Sequence, residues 1–306
     1  MTEIAGCQLN NPDPAAAAGV TLAEARDGLW GYRFSRQSAN VLQADTVGPV
    51  SAFNGNVVLP GLVESADIST QNAMNNAAAS TGATVASSVS TIFGVYWCAA
   101  GVFAGGFGFS TAAPVIVDGL PLLNSSGDGL NCLFLGWIRT SAAGALVDTV
   151  QDRHVVNWWN RRRTFLYVNP GYVNDNAQTT YSRTLNVWGA VGVTAGASTV
   201  SFIGTGLDSA EFRAHLMLTG APVAYTGFGI GLSTTQPEAV ASIPANAPNN
   251  GSCAVSYQYI PTSGALASVT ALLHTNNNAT AVVADVARTG AAADPPATAM
   301  WGSIWA

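Results

Sequence analysis

Along FRAHLML, Phe212, Ala214, Leu216 and Leu218 fall on one face and Arg213 and His215 on the other. This is the period-two alternation of a strand with one buried face. SYQYIP, SVTALLHT and TAVVADVAR repeat the pattern through the C-terminal third, each bounded by Gly, Pro, Asn or Ser. The spacing predicts an all-β fold, an antiparallel β-sandwich or jelly-roll-like domain. Residues 1–27 differ, with a Pro/Ala-rich lead (NNPDPAAAAG) followed by TLAEARDG. Thr21 and Glu24 have capping-box spacing and Gly28 can stop the turn, so this arm or adaptor holds at most one short helix, near 22–27. Residues 28–306 read as one continuous β unit.

GFGFS (106–110) and GFGIGLS (227–233) place glycine at every second position, which leaves one strand face bare for a backbone or ring to approach. Their likeness hints at two related sheets. Residues 75–90 are small, polar and low in complexity, and read as an exposed loop or a loosely packed segment. ANAPNNG (245–251) and TGAAADPP (289–296) read as long turns. From Ser88 to Val117 there is no charge, and a span across a membrane near 91–109 is conceivable on hydropathy. The breaks at Ala99-Ala100 and Gly105-Gly106, with the aromatic and β-branched content, predict paired buried strands instead.

Only 9% of the chain is charged and 48% is hydrophobic, so its surface must be largely uncharged and in good part covered by partners. All eleven basic residues are arginine, as a GC-rich coding sequence would give. A net charge of −6 argues against a protein that coats nucleic acid, because neutralising phosphate needs a basic face. The N-terminus shows no basic region leading an apolar core, which predicts folding in the cytoplasm. Cys7, Cys98, Cys132 and Cys253 have no zinc or redox spacing and are expected as buried free thiols.

Candidate chemistry is sparse. Asp148 with Asp152, and Glu211 with Asp208, are the nearest carboxylate pairs, and turn-stabilising roles account for them as well as glycoside hydrolysis does. His154, His215 and His274 stand apart, without a metal-binding spacing. No nucleophile elbow, phosphate loop or dinucleotide fingerprint is found. The expectation is no catalytic residue, no cofactor and no metal.

DRHVVNWWNRRRTF, Asp152 to Phe165, holds four of the eleven arginines and two of the eight tryptophans. As a strand it would put Val155, Asn157, Trp159 and Arg161 on one face, and Val156, Trp158, Asn160 and Arg162 on the other. Such a strand suits burial in a sandwich or between subunits. Its tryptophans would pack in a core or seam, and Arg153 and Arg161 would pair with carboxylates or carbonyls. A sugar-binding alternative would use Trp158, Trp159, Trp301 or Trp305 as stacking platforms.

LFLGWIRTSAAGALVDTVQDRHVVNWWNRRRTFLYVN, Leu133 to Asn169, resembles a segment recurring in virion proteins of tailed bacteriophages. There a Leu-Gly-x-x-Arg-Thr strand, here Leu135, Gly136, Arg139 and Thr140, precedes an acidic turn. An Arg-x-x-x-Asn-aromatic-aromatic-Asn-Arg run follows, here Arg153, Asn157, Trp158, Trp159, Asn160 and Arg161. PVSAFNGNVVLPG upstream, and YTGFGIGLSTTQP and MWGSIWA downstream, extend the likeness to roughly residues 30–306. The resemblance implies a non-enzymatic β-rich structural module of tail fibres, head fibres or capsid decoration, commonly a homotrimer. Its implied partners are itself, other virion proteins such as major capsid or tail proteins, and a host surface glycan if it serves attachment. Nucleic acid and membrane are not among them. Arg139, Arg153, Asn157, Trp158, Trp159, Asn160 and Arg161 are the residues it marks as structural or interfacial.

Overall fold

A computed structural model describes residues 33–45, 64–98, 106–117, 120–124, 127, 129, 132–168, 179–182, 187–191, 198–217, 225–244, 252–275, 281–284 and 298–306. Among these the chain is all-β and holds no α-helix. The arm, its short helix, Leu218 and the turns at 245–251 and 289–296 lie outside the described residues. The chain gathers into two compact units, a finer division than one continuous unit over 28–306. The first comprises 1–148, 154–162 and 306, and the second 149–153 and 163–305.

In the first unit, β1 (Arg33–Arg36), β2 (Val41–Asp45) and β3 (Glu64–Asp67) form an antiparallel meander. A larger sheet follows from β4 (Asn72–Met74), β5 (Ser80–Thr84), β6 (Ile92–Cys98), β7 (Gly106–Ser110), β8 (Val115–Val117), β9 (Leu120–Leu122) and β10 (Cys132–Arg139). The chain then gives β11 (Asp152–Arg153) to the second unit and returns with β12 (Val155–Asn157), which pairs with β10. The order is β5-β4-β7-β6-β10-β9-β8. Phe34, Leu42 and Ile68 of the meander side pack with Phe93, Val95, Phe109, Leu133 and Leu135 of the larger sheet in one buried core.

The uncharged stretch expected as paired strands is β6 and β7, antiparallel with Val95 opposite Phe109. No helix among the described residues is long and apolar enough to cross a membrane. Two expectations are corrected here. Residues 75–90 are not simply a loop, because β5 takes 80–84 at the sheet edge and Val85 reaches the core. Cys98 and Cys132 are not free thiols: the β6–β10 register sets them directly opposite, Cα to Cα 4.1 Å, and they form a disulfide. Cys253 is free and half-buried, and Cys7 lies outside the described residues.

The second unit contains β11 with β13 (Arg163–Val168), β14 (Thr179–Ser182), β15 (Gly189–Ala190), β16 (Thr199–Ile203), β17 (Ala210–Met217) and β18 (Thr226–Gly231). Its remaining strands are β19 (Ala239–Ile243), β20 (Ser252–Tyr259), β21 (Leu266–Thr275), β22 (Ala281–Ala284) and β23 (Ala299–Trp305). One sheet runs β11-β16-β21-β18-β19, a second β13-β23-β17-β20, and β14 pairs with β22. The first two face each other: Phe202 of β16 lies 5.7 Å, ring centre to centre, from Phe212 of β17. Phe212, Ala214 and Leu216 are buried as the alternation predicts, with Arg213 exposed and His215 half-buried. The bare face of β18 receives a ring, since a Cβ on Gly227 would come within 2.9 Å of the Trp188 indole.

Candidate functional site

The segment marked by the virion resemblance is built into the framework rather than into one long strand. Strand pairing stops at Asn157 because side chains and a bend take over from the ladder. Trp158 N donates to Leu135 O at 2.8 Å, Trp159 Nε1 donates to Phe134 O at 2.8 Å, and the Arg161 guanidinium donates to the carbonyl of Trp158. The expected alternation through Arg162 is thereby corrected, since residues 158–160 bend. The Trp158 ring meets Phe134 and Trp137 edge-on, at 5.6 and 5.4 Å, and Trp159 packs against the first core. Asn157 is buried, and its amide bonds both main-chain groups of Phe34.

Gly136 has φ +153°, and a Cβ there would fall 2.1 Å from the carbonyl oxygen of Val156. Only glycine admits β12 so closely. Thr140 is buried and its hydroxyl donates to Ser88 O at 2.6 Å while accepting from Thr91 N at 3.1 Å. In the second unit, Arg153 Nε donates to Phe165 O at 3.3 Å. Arg139 and Asn160 are half-buried, and nothing in the structure explains the choice of those two side chains.

The other candidates fall to structural duties or separate. Asp148 belongs to the first unit and Asp152 to the second, where Asp152 Oδ1 accepts from the Ser201 hydroxyl. Glu211 pairs with Arg163 at 2.9 Å. His154 is buried, His215 sits on β17, and His274 packs against Trp188 at 5.0 Å. Among the described residues, no group of three or more His, Cys, Asp or Glu could hold a metal ion. Of the three arginines, Arg161 is half-buried and bonds a carbonyl, Arg163 is exposed and pairs with Glu211, and Arg162 is exposed. Burial together with the Arg162 charge pushes the Arg33 guanidinium below its ordinary range, against the pull of Asp148.

One surface of the second unit combines exposed aromatic rings with hydrogen-bonding groups. It is the outward face of the β13-β23-β17-β20 sheet. Register puts Arg163 opposite Trp305; Phe165, Ser303, Glu211 and Gln258 in the next row; and Tyr167, Trp301, Arg213 and Ser256 in the third. The inward neighbours Leu166, Val168, Phe212, Ala214, Met300 and Ile304 are all buried, which forces the other set outward. Phe165 and Trp305 are 52% and 44% exposed. The rings of Phe165 and Tyr167 lie nearly parallel, 15° apart with centres 6.3 Å apart. Arg163 spans two strands, donating from Nε to Ser303 Oγ at 3.0 Å and from Nη2 to Glu211 Oε2 at 2.9 Å.

The face was half legible. Trp301 and Trp305 stand out as possible platforms in MWGSIWA, and i, i+4 on one strand share a face. Phe165, Tyr167, Glu211, Arg213 and Gln258 join them only through pairings across more than 40 residues, and RTFLYV looks apolar on both sides.

No protein-family model matches the chain, and no curated protein matches it. Among solved structures it is similar, at 8% identity and a TM-score of 0.26, to the insecticidal delta-endotoxin Cry8Ea1 from Bacillus thuringiensis, over 90% of this chain and 51% of that one. A Bacillus thuringiensis Cry1Da tryptic core variant follows at 8% identity and 0.22, over 90% and 50%. An exo-beta-1,3-galactanase from Phanerochaete chrysosporium stands at 10% and 0.19, over 90% and 56%. The chain thus spans about half the length of the solved chains it matches.

Proposed function

We propose that the chain is a non-enzymatic structural protein of a bacteriophage particle, a compact homotrimeric β module on the virion surface, as capsid decoration or short fibre. The observation that carries this reading is how the recurring segment is spent. Gly136, Thr140, Asn157, Trp159 and Arg161 are all used on main-chain bonds or close strand contacts. Residues committed to backbone geometry specify a framework, not a reaction centre. The low charge supports the same reading, because closely packed strands and subunits tolerate few charges.

Native mass measurement at micromolar concentration tests it. A trimer is expected, together with many copies at fixed positions in an imaged particle, and a monomer with no place on the particle would overturn it. A second reading, a receptor-binding fibre tip, is favoured by the outward Trp301 and Trp305 face. In that case free protein should block adsorption of the phage to its host.

A further inference from the structure

We infer that the outward face of the β13-β23-β17-β20 sheet binds an oligosaccharide that carries carboxylate groups. This deepens the receptor-binding reading and rests on it for the source of the saccharide.

The face has two halves of different chemistry. On β13 and β23 it offers Phe165, Tyr167, Trp301 and Trp305, and on β17 and β20 it offers Glu211, Arg213, Ser256 and Gln258. A saccharide ring matches this division, since its C–H faces stack on aromatic rings while its hydroxyls require donors and acceptors beside them. Along β23 the order Trp301, Ser303, Trp305 alternates ring, hydroxyl, ring. A protein seam of the usual kind is depleted of charge at its centre, whereas here Glu211 lies in the row between the two tryptophans and pairs with Arg163 of the Trp305 row.

Charge selects the class of saccharide. The chain carries −6 overall, yet this face presents two guanidiniums against one carboxylate. Arg163 is matched by Glu211 at 2.9 Å. Arg213 is exposed in the next row, directly opposite Trp301. A sugar ring on Trp301 therefore has a planar, carboxylate-matching donor fork beside it. A uronic or sialic acid unit uses both groups at once, and a neutral sugar uses only the ring.

The test titrates the full chain with oligogalacturonate, with an oligomer of sialic acid and with neutral maltoheptaose, read by calorimetry and tryptophan fluorescence. At least one acidic probe should bind, more tightly than maltoheptaose, with affinity falling as salt rises. Trp301→Thr and Arg213→Gln should each weaken binding about tenfold or more. Arg213 is exposed, so Arg213→Gln should leave the unfolding temperature in place and its loss of binding is read on intact protein. Trp301 is half-buried, and its variant is read beside a circular-dichroism spectrum that shows the sheets retained. Three results would overturn the inference: neither acidic probe binding at millimolar concentration, binding indifferent to both substitutions, or a wild-type oligomer that Trp301→Thr dissociates. Adsorption separates this from the reading beneath it. Protein that blocks adsorption but binds neither acidic probe sinks the inference alone, and protein that binds a probe without blocking adsorption sinks only the receptor role.

Discussion

The side-chain amide of Asn157 holds both main-chain polar groups of Phe34: Oδ1 accepts from the Phe34 amide at 2.8 Å and Nδ2 donates to its carbonyl at 3.0 Å. Asn157 thus acts as a surrogate peptide unit. Its own strand, β12, is laddered to β10, and its side chain reaches β1, so the two faces of the first core are tied by one buried residue 123 positions from its partner.

Asn157→Asp should therefore destabilise the first unit by about 2–4 kcal/mol, because a carboxylate cannot donate to the Phe34 carbonyl and leaves it buried and unpaired. Asn157→Leu should cost a similar amount by stranding both Phe34 groups. Denaturant unfolding followed by tryptophan fluorescence checks both, and a change under about 0.5 kcal/mol would refute the assigned role.

Gly136→Ala should cost more than a surface glycine does. The added carbon would meet the Val156 carbonyl and the Phe34 ring, and β12 would have to leave β10. By contrast, Gly82→Ala, with nothing within 4 Å but φ +79°, carries only the backbone penalty of about 1–2 kcal/mol. Comparing the two unfolding midpoints separates collision from conformational strain.

Reduction of Cys98–Cys132 releases a cross-link of sequence separation 34. Loop-closure entropy puts its contribution at about 3–4 kcal/mol. Unfolding midpoints of the oxidised protein and of Cys98→Ser with Cys132→Ser should differ accordingly, and equal midpoints would show that the strands hold without it.

Burial pushes the Cys253 thiol up to about 11 from an ordinary 9.0. Between those pH values the folded thiol keeps its proton, so alkylation of Cys253, read by peptide mass mapping, should be slow until the protein is unfolded. Tyr96 and Tyr259 are likewise raised by burial above the ordinary 10.0, with the nearby Tyr257 adding to the effect at Tyr259. Their folded forms hold protons more tightly, so this share of stability is complete below pH 10 and lost above it. Phenolate absorbance should therefore lag behind free tyrosine and rise together with alkaline unfolding.

The strands whose two faces differ were legible in the sequence. FRAHLML alternates cleanly, and β17 buries Phe212, Ala214 and Leu216 as the pattern says. The glycines of β18 announce a bare face, but not that Trp188 fills it, because that contact crosses a turn and another sheet partner. The bend after Asn157 was hidden for a different reason: residues 155–162 are mixed on both sides, and side-chain bonds to Phe134 and Phe34, with one main-chain bond from Trp158 to Leu135, replace the ladder there. The disulfide was equally hidden, since it depends on β6–β10 register and no spacing of cysteines encodes that.

The chain passes from one unit to the other after residues 148, 153, 162 and 305. On the ribosome this has a price in time. The first unit lacks β12 until residues 154–162 have emerged, so the Phe34 amide and the open side of β10 wait through nascent chain that belongs elsewhere. The Arg162–Ala306 backbone pair closes only once residue 306 has emerged. Stopping translation at 148 should yield a product that binds chaperones and aggregates, and one prolonged past Arg162 should resist protease where the shorter one does not.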